Sequence, residues 1–82
     1  MPINKSMISL QMVKYLNSEI MDEPVEFDPV TPFSEIGVES YDIIQLVLFI
    51  ERKFGIEIPE SELIPENLVS IDALAACAEK QQ

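Results

Sequence analysis

From Ser40 to Phe54 the apolar residues Ile43, Ile44, Leu46, Val47, Ile50 and Phe54 recur at helical spacing. The rest of the chain is organised around this amphipathic stretch. Its polar positions are Asp42, Gln45, Glu51, Arg52 and Lys53. An acidic residue near the start and basic ones near the end suit the helix dipole. Gly55 follows, a residue able to adopt the left-handed conformation that closes helices. Gly37 lies three residues before Ser40, a residue suited to a tight or left-handed backbone at that point. The stretch therefore reads as a loop delivering one hydroxyl to a helix start. Two roles for that hydroxyl stay open. Ser40 can be the N-cap, its oxygen accepting from an N–H of the first turn. It can also be the attachment point of a phosphate-linked group, because free N–H groups and the helix dipole favour an anion there by about 0.3–1 kcal/mol.

The flanking segments extend the helical reading. A first helix is predicted from about residue 5 to 20, with Met7, Ile8, Leu10, Val13, Leu16 and Ile20 as its apolar face and Lys5, Gln11, Lys14 and Asn17 on its polar face. Ser6 offers a slightly later cap, and residues 1–4 read as frayed. Met7 and Met12 read as adaptable core filler. Residues 21–39 form a long loop broken by Pro24, Pro29 and Pro32. Val25, Phe27, Val30, Phe33 and Ile36 tether it. Residues 31–35 suit a single helical turn with Pro32 at its first position. Asp22, Glu23, Glu26 and Asp28 lack the spacing and the glycine of a calcium loop, so they read as a solvated face. Residues 60–67 suit a brief helix with Leu63 and Ile64 inward and Pro65 ending it. Ser70 caps a last helix, residues 71–80, with Ile71, Leu74, Ala75 and Ala78 as its stripe. Tyr41 and Leu48 lie off the main stripe of the central helix, free either to dock a partner or to pack against the loops.

Length and charge narrow the function. A chain of 82 residues is one domain, residues 1–82, which buries roughly 60–65% of its unfolded surface. Its net charge of −10, from 15 acidic and 5 basic residues, argues against nucleic acid as a partner. The same charge suits a basic patch on a partner protein, or simply keeps a small monomer soluble. A single cysteine, Cys77, excludes an internal disulfide and reads as a small apolar residue, because no histidine or basic neighbour activates it. No apolar run spans a bilayer and no signal-type apolar region opens the chain, so the expected location is cytoplasmic. Ser40 lacks the histidine base that a hydrolytic nucleophile requires, and no G-x-S-x-G turn surrounds it. There is no Gly-rich phosphate loop and no His/Cys set for zinc. No catalytic residue and no metal site is assigned.

The run Ile36-Gly37-Val38-Glu39-Ser40-Tyr41, followed by the amphipathic helix and by Ile56-Glu57-Ile58-Pro59, resembles the acyl carrier protein family. That family's pattern is Leu-Gly-x-Asp-Ser-Leu, then a helix, then an acidic-apolar turn ending in proline. The likeness extends over most of the chain. It implies an all-α fold, a four-helix bundle with three longer helices, one short helix and a long loop between the first and second. It implies 4′-phosphopantetheine bound covalently to Ser40, with acyl intermediates held as thioesters for fatty acid, polyketide or related biosynthetic enzymes. The implied partners are a phosphopantetheinyl transferase and acyl-loading and acyl-processing enzymes with basic docking patches. They would meet Glu39, Tyr41, Asp42, Gln45 and Leu48. Glu39 stands where the family has Asp, Tyr41 where it has Leu, and Gln45 where fatty-acid carriers have Glu. Arg52 and Lys53 occupy a stretch that is often acidic. These departures point to a dedicated carrier rather than the housekeeping one, and the acid before Ser40 resembles acyl more than peptidyl carriers. The alternative is a helical adaptor in which Ser40 is only a cap and the acidic face holds a basic partner.

Overall fold

Each helix begins at a residue able to satisfy its first N–H groups. The computed structural model describes residues 3–21 and 26–82. The first helix, α1, spans Lys5–Tyr15 and starts at Asn4, whose side-chain oxygen accepts from the Met7 N–H at 2.9 Å. Asn4, not Ser6, is thus the cap. Ile3 and Asn4 are also held rather than frayed. The Ile3 N–H donates to Gln82 Oε1 at 2.9 Å, and the Lys5 N–H donates to Glu79 Oε2 at 2.8 Å. Met1, Pro2, Asp22, Glu23, Pro24 and Val25 lie outside the described residues.

Helical backbone continues from α1 to Ile20 as predicted, but its last turn, Leu16–Ile20, widens to π geometry. The Met21 N–H reaches the Leu16 carbonyl at 2.8 Å. Just before, the Ser18 hydroxyl donates back to the Lys14 carbonyl at 2.8 Å, a competing bond that loosens a helix end.

The inward face of α1 differs from the predicted one. Ile8, Met12 and Leu16 form a fully buried line, with Val13 and Ile20 packed beside it, whereas Met7 and Leu10 are exposed, Leu10 by 55%. Apolar residues surround α1 almost evenly, so periodicity alone could not choose the side. Tertiary contact chose it: α1 packs chiefly on the last helix, α3, Ile71–Lys80. There Ile71, Leu74, Ala75 and Ala78 are all buried, as predicted, and the small alanines admit a close line of larger side chains. Ser70 caps α3, its hydroxyl accepting from the Ala73 N–H at 3.1 Å.

The central helix, α2, spans Ser40–Phe54 and buries Leu46, Val47 and Ile50. Ile43 and Phe54 pack partly against the core, but Ile44 is 58% exposed rather than internal. Gly55 closes α2 at φ +67°, its N–H donating to the Glu51 carbonyl at 3.0 Å. An added Cβ there meets no atom, so the glycine is required by backbone conformation alone. Gly55→Ala is expected to lower stability by about 1–2 kcal/mol, and Gly55→Asn by less, because Asn tolerates this region. Urea titration checks this; an alanine variant as stable as the parent would remove the conformational argument.

Between α2 and α3 the chain makes two 3-10 turns, Glu60–Glu62 and Pro65–Asn67, in place of one short helix. Pro65 opens the second turn instead of ending a helix, as its fixed φ allows. Leu63 packs inward, while Ile64 is exposed. The all-helical expectation holds, with the short element split in two.

The second half of the long loop is strapped to the start of α3. The Phe33 N–H donates to the Val69 carbonyl at 2.8 Å and the Asp72 N–H donates to the Pro29 carbonyl at 2.9 Å. Phe27, Phe33 and Ile36 anchor the loop, with Phe33 only 2% exposed, but Val30 faces solvent. Phe33–Glu35 forms the predicted turn one residue late, with Pro32 just outside it.

Candidate functional site

Two features bring Ser40 to the surface. Gly37, at φ +76°, reverses the chain after the Phe33–Glu35 turn. Val38 then drops into the core, its N–H donating to the Phe33 carbonyl at 3.1 Å. With Val38 buried, the next residues emerge: Glu39, Ser40 and Tyr41 are all exposed, Tyr41 by 70%.

The cap of α2 is Glu39, not Ser40. Glu39 has extended backbone, and its N–H donates to Asp42 Oδ2 at 3.1 Å, the returning arm of a capping box. Ser40 is the first residue inside the helix. The cap role that the adaptor reading requires of Ser40 is therefore taken by its neighbour. An exposed hydroxyl remains, beside backbone N–H groups that have no intrahelical acceptor. Such a position fits a phosphate ester: it is open, hydrogen-bond donors are at hand, and the positive end of the α2 dipole faces it.

Down the same face of α2 the spacing continues. Ile43 and Ile44 are three and four residues beyond Ser40, Val47 and Leu48 seven and eight, and Glu51 eleven. With Leu63 and Leu68 from the 3-10 segment they line a cavity of about 390 Å³. Its walls are aliphatic except for Glu51, whose carboxylate accepts from the Ile58 N–H at 3.1 Å and so pins the segment after Gly55. The exposure of Ile44 is explained by this groove: the residue belongs to its rim and not to the core.

The other sequence-predicted positions fall into two groups. Glu39, Tyr41 and Asp42 cluster around Ser40 in the first turn. Gln45 and Leu48 lie further along α2, both half-buried, with Leu48 in the groove wall. Neither Leu68 nor the cavity itself is among the features expected from the sequence. The available signal was the recurrence of apolar residues in register with Ser40. Cys77 is buried on α3, and burial first, then nearby Glu62, pushes its thiol up, against smaller opposing effects of Gln81 and Lys80. Lys80 is thus a basic neighbour after all, but its effect is outweighed, and the thiol remains the apolar filler expected of it. Asp28 uses its carboxylate locally, accepting from the Val30 N–H at 3.0 Å within a turn. Among the described residues no helix is long and apolar enough to cross a membrane.

Comparison with known proteins agrees with this geometry. Residues 10–78 match the family model described as phosphopantetheine attachment site. The chain is 40% identical over 62 residues to the acyl carrier protein of Campylobacter hominis, covering 65% of this chain and 76% of that one. It is 37% identical over 46 residues to aminoacyl carrier protein 1 of Bradyrhizobium diazoefficiens, covering 56% of this chain and 51%, about half, of that relative. A similar solved chain comes from the crystal structure of Bradyrhizobium japonicum glycine:carrier protein ligase complexed with glycylated carrier protein. The TM-score is 0.72 at 26% identity, covering 89% of this chain and 96% of that one. The match to the family model covers most of the sequence, and the chain belongs to the acyl carrier protein family, the non-catalytic carriers that bear a phosphopantetheine attachment site.

Proposed function

We propose that Ser40 bears 4′-phosphopantetheine and that this single-domain, monomeric, cytoplasmic carrier presents acyl groups to the enzymes of a dedicated biosynthetic pathway. The observation that carries the reading is an exposed hydroxyl, free of any capping duty, standing over an apolar groove on the same helix face. When bound, the group supplies a thiol on which acyl chains are held as thioesters. The chain's own residues do the rest. The start of α2 favours the phosphate, and Glu39, Tyr41, Asp42, Gln45 and Leu48 form the face that a transferase and acyl-processing enzymes with basic patches would meet. The relatives include both acyl and aminoacyl carriers. The groove favours acyl cargo. Its size lies at the lower end of ligand pockets, about 300–1,000 Å³, and its aliphatic walls offer an amino group no partner beyond Glu51, already engaged.

Incubation with coenzyme A and a broad-specificity phosphopantetheinyl transferase is expected to raise the intact mass by one phosphopantetheine. No gain with several such transferases would overturn the attachment reading. Cargo is tested separately. Burial of about three methylenes at about 0.8 kcal/mol each, roughly 2.4 kcal/mol, should raise the melting midpoint of octanoyl-loaded protein by roughly 10–20 °C over the unacylated carrier. Glycyl-loaded protein should show no rise, and equal midpoints for the two would remove the preference for acyl groups.

A further inference from the structure

At the far end of α2 the chain carries a patch of opposite character. Phe49, Arg52 and Lys53 share one helix face by their spacing, and Tyr15 of α1 lies against them. The Tyr15 and Phe49 rings are stacked, with centroids 4.4 Å apart and planes 25° apart. Together the four side chains line an open hollow of about 240 Å³. Both cations are exposed. The chain has 15 acidic residues, yet among the described residues the one ion pair joins Lys5 to Asp72, and neither Arg52 nor Lys53 has a carboxylate partner. The helix dipole accounts for cations at this end, but not for their placement over a half-buried aromatic pair that leaves an open hollow between them.

We propose that this basic, aromatic patch is a second docking surface, fitted to a short acidic segment of a partner protein that carries an apolar side chain beside its carboxylates. The hollow is smaller than the roughly 300–1,000 Å³ of a small-molecule pocket, but it admits one side chain. A guanidinium and an ammonium at its rim match adjacent carboxylates, the guanidinium by a two-pronged hydrogen bond. The net charge of −10 does not forbid an acidic visitor, because at physiological salt charges beyond about 8 Å are largely screened and the local cations dominate. The patch lies ~18 Å along the helix axis from Ser40, so a partner can hold it while the attachment end stays open. The proposal is independent of any modification of Ser40.

The test is an NMR titration of the full chain, as purified, with the peptide acetyl-Glu-Glu-Phe-Glu-amide in 0.15 M salt. A peptide with Gln in place of each Glu serves as the control. Expected are saturating shifts confined to the surroundings of Tyr15, Phe49, Arg52 and Lys53. The fitted affinity should fall at least tenfold in the Arg52→Ser/Lys53→Ser double variant, whose unchanged spectrum elsewhere reports an intact fold. The Gln peptide should bind at least tenfold more weakly. Equal binding of the Gln peptide, shifts centred on the start of α2, or shifts unchanged in the double variant would each overturn the proposal. So would the absence of saturable peptide binding, including the case in which vesicles of anionic lipid or a second copy of the chain occupy the patch instead.

Discussion

Ser40→Ala is expected to abolish the phosphopantetheine mass gain entirely while leaving the folding free energy within about 0.5 kcal/mol of the parent. Both halves of this result follow from the start of α2. The hydroxyl is the only atom pair removed, and it is exposed, so no cavity forms. It is also not the cap, which is Glu39, with Asp42 accepting from the Glu39 N–H. Were Ser40 a capping residue, alanine would cost about 0.5–2 kcal/mol. Asp42→Ala supplies the contrast in stability, since loss of that hydrogen bond should cost about 0.5–1.5 kcal/mol. Intact mass and urea titration on the same three proteins separate the roles. Undiminished loading of Ser40→Ala would move the attachment point elsewhere, and a loss of more than 1 kcal/mol in that variant would restore the capping role.

The parts of the fold legible in the sequence are those written in local chemistry. The Ser70 cap, the left-handed Gly37 and Gly55 and the buried stripe of α3 follow from single residues and short spacings. The inward face of α1 was not legible, because apolar side chains lie on nearly every side and only contact with α3 selects Ile8, Met12 and Leu16. Of the two roles open to Ser40 in the sequence, the capping one falls to Glu39 for a related reason. Serine is the better cap by propensity, but burial of Val38 places the extended residue at Glu39 and leaves Ser40 helical. That one-residue difference frees the hydroxyl. The groove beneath it depends on Leu63 and Leu68, which approach α2 only through the two 3-10 turns, an arrangement with no periodic signature.

Phe33→Ala is expected to remove a large share of the stability of the domain. Phe33 is 2% exposed, and truncating so buried an aromatic ring costs about 3–5 kcal/mol. A chain of 82 residues has only about 4–12 kcal/mol in total, at roughly 0.05–0.15 kcal/mol per residue. At about 4–8 °C per kcal/mol the melting midpoint should fall by more than 12 °C. The loss is not confined to the ring's own contacts. The Phe33 N–H is tied to the Val69 carbonyl, and the Phe33 carbonyl accepts from the N–H groups of Ile36 and Val38. The same residue therefore fastens the loop to α3 and shapes the turn that lifts Ser40 to the surface. Ser34→Ala, an exposed change one residue away, should stay within about 0.5 kcal/mol. Thermal melts of the two variants check the expectation. A Phe33→Ala midpoint within a few degrees of the parent would mean that the loop is held by Phe27 and Ile36 without it, and that presentation of the hydroxyl does not depend on this anchor.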